Sequence, residues 1–256
     1  MSNCIECSWL DGQRCSAFPD DWPDVPINHV RACTVAINRK YCEQIRPGHR
    51  ILEIGVGHWS PVREHCLESD AQWDGIDVEK SYLGKPTIAT RIESVERLSF
   101  DDDVFDFVIS TQALEHWSEN GTRVELGLWE CFRVCKPAGW VLMNVPIHVH
   151  GSRGFVAGDV AAIRRMFEPY SSLVRMETWR KKSQPLPDVH LIPSRFTRGE
   201  PAHNLDIYAQ ARDHLPPRPR PYRIRNRLFR DFVDHRPGYF AYLVLRRIGR
   251  FARRLA

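Results

Sequence analysis

At 256 residues, with 43% hydrophobic and 27% charged side chains, the chain has the make-up of a soluble globular protein. Its size suits one α/β domain plus a small appendage. No apolar run is long enough to span a bilayer, and MSNCIECSWLDG lacks the basic-then-apolar form of a signal peptide. Both features predict a cytoplasmic protein whose eight cysteines are thiols or metal ligands rather than disulfides.

The net charge of +4 is unevenly placed: residues up to Asp24 lean acidic, and arginine crowds the segment after Pro216. Residues 1–27 form a Cys-rich N-terminal cap, with Cys4-x2-Cys7 and Cys15 followed by Ala17-Phe18-Pro19. Cysteines at this spacing on a tight turn can place two thiolates on one metal. Cys15, with His29 or Cys33, would then complete a tetrahedral structural zinc site; Cys4, Cys7, Cys15 and His29 are the candidate ligands. The competing reading is a reduced, proline-rich cap with incidental cysteines. Residues 28–46 predict a helix, with Asn28 as its cap and Val30, Cys33, Ile37, Tyr41 and Ile45 at helical spacing.

From Pro47 to about Pro146, strand and helix patterns alternate, which predicts a parallel sheet with helices on both faces. The organising stretch is Arg50–Asp77. Ile51-Leu52-Glu53-Ile54 reads as a buried strand feeding the turn Gly55-Val56-Gly57. Pro61 suits the first turn of a helix, and Ile76 closes a second strand with Asp77 at its end. A strand, glycine turn, helix, strand and acid in this order bind a nucleoside. Glycine lets the backbone approach the ligand, and one carboxylate can accept from two ribose hydroxyls. Ile88-Ala89 reads as a weak third strand, and Phe105–Ser110 as a fourth after the acidic turn Asp101-Asp102-Asp103. A helix over Val124–Val134 follows, then Cys135-Lys136-Pro137-Ala138-Gly139-Trp140 turning into a fifth strand, Val141–Val145.

At these residues the chain resembles the class I S-adenosylmethionine-dependent methyltransferases, of the type that acts on small molecules and glycans. Glu53-x-Gly55-x-Gly57 matches their signature, Asp77 their ribose acid, and Phe105-Asp106-x-Val108-Ile109-Ser110 with Leu114-Glu115-His116 the segment beside the methionine end. The resemblance covers about residues 28–146. It implies a Rossmann-like fold and a cofactor, S-adenosylmethionine, held by Glu53, Gly55, Val56, Gly57, Asp77, Val78, Ser94, Val95 and Ser110. Ser94 stands where the family usually has an acid for the adenine amino group, and Glu93 is the substitute. Ala138 replaces the first glycine of the family's usual Lys-Pro-Gly-Gly turn. Some relatives hold a divalent metal with an acid, a Glu and a His in this segment; Gln112 stands in place of the first acid. A dinucleotide-binding oxidoreductase would want a glycine where Ser60 stands.

The methyltransferase domain is expected over residues 28–215. His116 and His148 are the candidate bases for a hydroxyl acceptor, since a neutral histidine titrates near the working pH. His150 alternates with His148 as it would on a strand. The acceptor is expected to be a small molecule or a glycan, with no nucleic acid partner. Residues 216–256 comprise a Pro/Arg linker and a stretch, 239–256, with an apolar face opposite Arg246, Arg247, Arg250, Arg253 and Arg254. That basic amphipathic helix has three readings: peripheral attachment to an anionic membrane, capture of an anionic acceptor, or packing on its own domain.

Overall fold

Leu52 and its neighbour Ile51 point to opposite sides of one strand, and both are buried. A strand apolar on both faces needs a covering layer on each, and the fold supplies two. The computed structural model describes residues 5–9, 37–82, 84–118, 120–147, 154–155, 158–181 and 203–219. An eight-stranded sheet runs through it. In chain order its elements are β1 (Ile5–Trp9), helix α1 (37–42), β2 (Arg50–Ile54), α2 (Pro61–Glu68) and β3 (Gln72–Asp77). A small hairpin of β4 (Ser81–Tyr82) and β5 (Lys85–Pro86) stands off the sheet before β6 (Arg91–Ile92). Then come β7 (Phe105–Thr111), a 3-10 turn (Leu114–His116), α3 (Val124–Val134) and β8 (Cys135–Ile147). The last elements are α4 (Val160–Phe167), β9 (Ser171–Lys181) and β10 (His203–Ala211).

The spatial order is β1-β9-β10-β8-β7-β2-β3-β6. From β8 to β6 every pairing is parallel, while β10, β9 and β1 add an antiparallel side. The third strand falls at Arg91–Ile92 rather than Ile88-Ala89. Ile88 instead donates its N–H to the Gly57 carbonyl at 2.9 Å, so its backbone is committed to the loop.

One face buries Leu52, Ile54, Val108, Met143 and Val145 against Leu128 and Phe132 of α3 and Ile163 and Phe167 of α4. The other buries Ile51, Phe107, Ile109, Leu142 and Tyr208 against Ile37 and Tyr41 of α1 and Val62 and Cys66 of α2. Each such side chain contributes about 1.5–3 kcal/mol on burial. No helix among the described residues is long and apolar enough to cross a membrane.

Two terminal expectations change. Ile5–Trp9 is an extended edge strand paired antiparallel with β9, so its backbone does not make the tight turn expected around Cys7. The segment read as a free linker also begins packed. Trp129 Nε1–H donates to the Pro216 carbonyl at 2.9 Å, and Arg218 pairs with buried Glu130 at 3.1 Å. The basic helix expected over 239–256 lies outside the described residues.

Ala138 sits at φ +61°, in the left-handed region where a side chain costs about 1–2 kcal/mol. Glycine there removes that cost but loses more chain entropy on folding. Ala138→Gly should therefore raise stability by about 0.5–1 kcal/mol, or the melting midpoint by about 1–4 °C. A calorimetric melt unchanged or lowered would show that the turn is not strained.

Candidate functional site

β2 and β3 run parallel and end together, with Ile54 beside Ile76. The chain leaves β2 through Gly55 at φ +79° and Gly57 at φ +59°, backbone that favours glycine. Gly55 N–H donates to the Ile76 carbonyl at 2.9 Å, and Gly57 N–H to Asp77 Oδ2 at 3.0 Å. Asp77 Oδ1 accepts from Glu79 N–H at 3.2 Å. Each oxygen of half-buried Asp77 thus accepts one N–H and retains a lone pair for an outside donor.

The glycines were expected to leave room for a ligand to approach the backbone. The structure gives part of that room to the chain itself. A Cβ on Gly55 would lie 2.5 Å from the Ala113 methyl, and one on Gly57 would lie 3.4 Å from the Tyr82 ring. Gly55 therefore lets the Leu114–His116 turn close onto the end of β2.

Ser60 has its own purpose. It caps α2, its oxygen accepting from Arg63 N–H at 2.9 Å, while Pro61 opens the helix. The Ser60 hydroxyl also donates to Glu53 Oε2 at 2.5 Å, and Trp73 Nε1–H donates to the same oxygen at 2.9 Å. Gly75 lacks a side chain where the Trp73 ring crosses it; a Cβ would come within 2.4 Å. Burial pushes the Glu53 carboxyl up to about 7, against the lowering pull of the Ser60 and Trp73 donors.

The other expected cofactor residues have varied surroundings. Val78 is exposed beside Asp77, whereas Val56 and Val95 are buried core side chains. Ser94 shares a 3.0 Å hydrogen bond with Thr122, and the Glu93 carboxylate accepts from Ser99 N–H at 3.3 Å. The Ser110 hydroxyl is buried and donates to the Ile54 carbonyl at 3.4 Å. His116 is half-exposed at the end of the 3-10 turn, its Nε2 3.6 Å from an oxygen of buried Glu115. His148, Cys4, Cys15 and His29 lie outside the described residues. Among those described, no three His, Cys, Asp or Glu side chains gather to hold a metal ion.

With this geometry, residues 52–143 match the family described as "Methyltransferase domain". The match takes in 92 of the 256 residues, and over that stretch the chain is similar to methyltransferases. It is 27% identical over 171 residues to 24-methylenesterol C-methyltransferase 2 of Oryza sativa subsp. japonica, covering 57% of this chain and 46% of that one. It is 29% identical over 109 residues to the uncharacterized methyltransferase YcgJ of Bacillus subtilis (strain 168), covering 39% and 42%. The chain thus spans under half the length of these curated relatives. In the crystal structure of YcgJ the fold recurs with a TM-score of 0.52 at 18% identity, covering 71% of this chain and 99% of that one. Phosphoethanolamine N-methyltransferase 2 of Haemonchus contortus gives 0.50 at 18% identity, covering 71% and 52%.

The sheet also holds a linked set of polar residues whose connection the sequence did not reveal. At the carboxyl end of the sheet, Gln112 takes φ +55°, and its side-chain amide donates to Asn144 Oδ1. Asn144 Nδ2 in turn donates to Asp206 Oδ1 at 2.5 Å, and both residues are fully buried. Thr111 donates to Asn38 of α1 at 2.7 Å. The only sequence signal was a polar residue in each apolar strand, Asn144 in VLMNV and Asp206 in NLDIY.

The Glu53 shift has a sign that can be checked. Its folded pKa lies above the usual 4.5, so folding takes up a proton between about pH 4.5 and 7. Stability from this group is full below 4.5 and falls by about 3 kcal/mol as pH rises to 7. Glu53→Gln should remove that slope in urea unfolding at pH 5 and 8. A variant that keeps the parent's slope would show that Glu53 ionises freely in the fold.

Proposed function

We propose that the domain binds S-adenosylmethionine at the ends of β2 and β3 and transfers its methyl group to a hydroxyl of a small-molecule or glycan-type acceptor. The observation that carries the reading is Asp77: a carboxylate held by two backbone N–H groups beside a glycine turn, with a lone pair left on each oxygen. Vicinal ribose hydroxyls fit it. When bound, the cofactor supplies a methyl group already activated on a sulfonium, so the chain's task is to position and to manage one proton.

His116 is the group we assign to that proton. It ends the turn that Gly55 allows to approach, and a Glu115 carboxyl oxygen lies 3.6 Å from its Nε2. Two of the similar proteins are named as a C- and an N-methyltransferase, so a hydroxyl acceptor rests on His116 alone. A nucleotide-dependent oxidoreductase is the weaker rival, because Ser60 is occupied as a helix cap where that pattern needs glycine.

Calorimetric titration should show S-adenosylhomocysteine binding and no NAD binding. Asp77→Ala removes a charged acceptor whose hydrogen bonds are worth about 1.5–3 kcal/mol each, so affinity should fall roughly tenfold or more. Asp77→Asn keeps one acceptor oxygen and should lose less. Equal binding by parent and Asp77→Ala would refute the site. Radiolabelled methyl transfer to fractionated lysate tests turnover; binding without transfer to any fraction would favour a non-catalytic binder.

The arginine-rich stretch 239–256 supports a second proposal, peripheral attachment to an anionic membrane near the acceptor. Each arginine near such a surface contributes about 1 kcal/mol. The full chain should co-sediment with anionic vesicles at low salt, and a chain ending at Pro237 should not. Equal sedimentation of the two would remove this role.

A further inference from the structure

Neighbouring parallel strands need a long crossover, usually through a helix. Between β3 and β6 the described residues contain no helix, and the β4–β5 hairpin occupies the connection. Thr87 N–H closes it onto the Lys80 carbonyl at 3.0 Å. The connection is tied to the glycine turn at one atom, the Gly57 carbonyl. That oxygen accepts from the Thr87 hydroxyl at 2.5 Å and from Ile88 N–H at 2.9 Å.

This tie lays the Tyr82 ring against Gly57 and stacks it on His58, with ring centroids 6.0 Å apart and planes 20° from parallel. Yet Tyr82 is 53% exposed, so much of its aromatic surface meets no protein. Val78, Trp59 and Ile92 are exposed as well. Val78 follows Asp77 in the chain, and Ile92 is the register partner of Asp77 on β6. The exposed Val78 and Ile92 therefore neighbour a carboxylate with acceptor capacity to spare, and the exposed Tyr82 ring lies against the Gly57 that this carboxylate holds. Such a patch marks a binding surface, and this one suits a ligand with two adjacent hydroxyls and a flat apolar ring.

We infer that the β4–β5 hairpin is the cover of the adenosine half of the ligand, with Tyr82 as its contact side chain. The inference rests on the cofactor reading above and extends it to an element that replaces a helix. The ring packs on the nucleoside while the Gly57 carbonyl holds the hairpin in place. His58 backs the ring and fixes its plane. Neither residue takes part in the transfer itself.

Calorimetry with two probes tests this: S-adenosylhomocysteine and methylthioadenosine, which lacks the amino-acid half. Stacking of a base on an aromatic side chain is worth about 1–3 kcal/mol, so Tyr82→Ala should weaken both probes by roughly tenfold. Tyr82→Phe keeps the ring and should bind both as the parent does, and melting curves should match for all three proteins. Undiminished binding of both probes to Tyr82→Ala would overturn the inference. So would tighter binding, which would make the ring an obstacle, or a loss confined to S-adenosylhomocysteine, which would place it on the amino-acid half. A parent that binds neither probe would remove the cofactor reading and the cover together.

Discussion

The hydrogen bond from Gly57 N–H to the Asp77 carboxylate joins the ends of two neighbouring parallel strands. Without it the turn after β2 would have no partner on β3 beyond the Ile76 carbonyl. Much of the site then follows. The pinned turn offers its Gly57 carbonyl to the hairpin that carries Tyr82. Gly55 admits Ala113, which sets the turn leading to His116. Ser60, directly beyond, starts α2 and bonds back to Glu53 on β2. One strand-to-helix passage thus organises both ends of the proposed site.

A second polar assembly lies across the sheet. The register sets Thr111 beside Asn144, and Asn144 beside Asp206. Asp206 Oδ1 accepts from the Asn144 amide, and Asn144 Oδ1 accepts in turn from the Gln112 amide. Buried polar groups are costly unless they are satisfied in this way. The chain of amides holds Gln112 in its left-handed conformation at the end of β7, next to the turn that bears His116. Rigid support there suits a site that must hold reacting groups within tenths of an ångström.

The central strands were legible because their signals are local. A β-branched run ending in glycine marks β2, and the apolar spacing of Val124–Val134 marks α3 to the residue. Pro61 was also readable as a first turn, but the role of Ser60 in capping α2 and holding Glu53 was not, because the Glu53 bond depends on how α2 returns over β2. The same holds for Tyr82. Nothing in SYLGKP announces a ring placed on Gly57; only the fold brings those residues together. Ile88-Ala89 misled because apolar character says nothing of which backbone groups are already bonded. The extended Ile5–Trp9 strand was hidden beneath a cysteine spacing that drew attention to metal.

The most direct test of the account is a crystal structure of the chain grown with S-adenosylhomocysteine. The account predicts both ribose hydroxyls within hydrogen-bond distance of Asp77, with the Gly57–Asp77 bond retained. A ligand seated elsewhere, or a ribose turned away from an undisturbed Asp77, would contradict it.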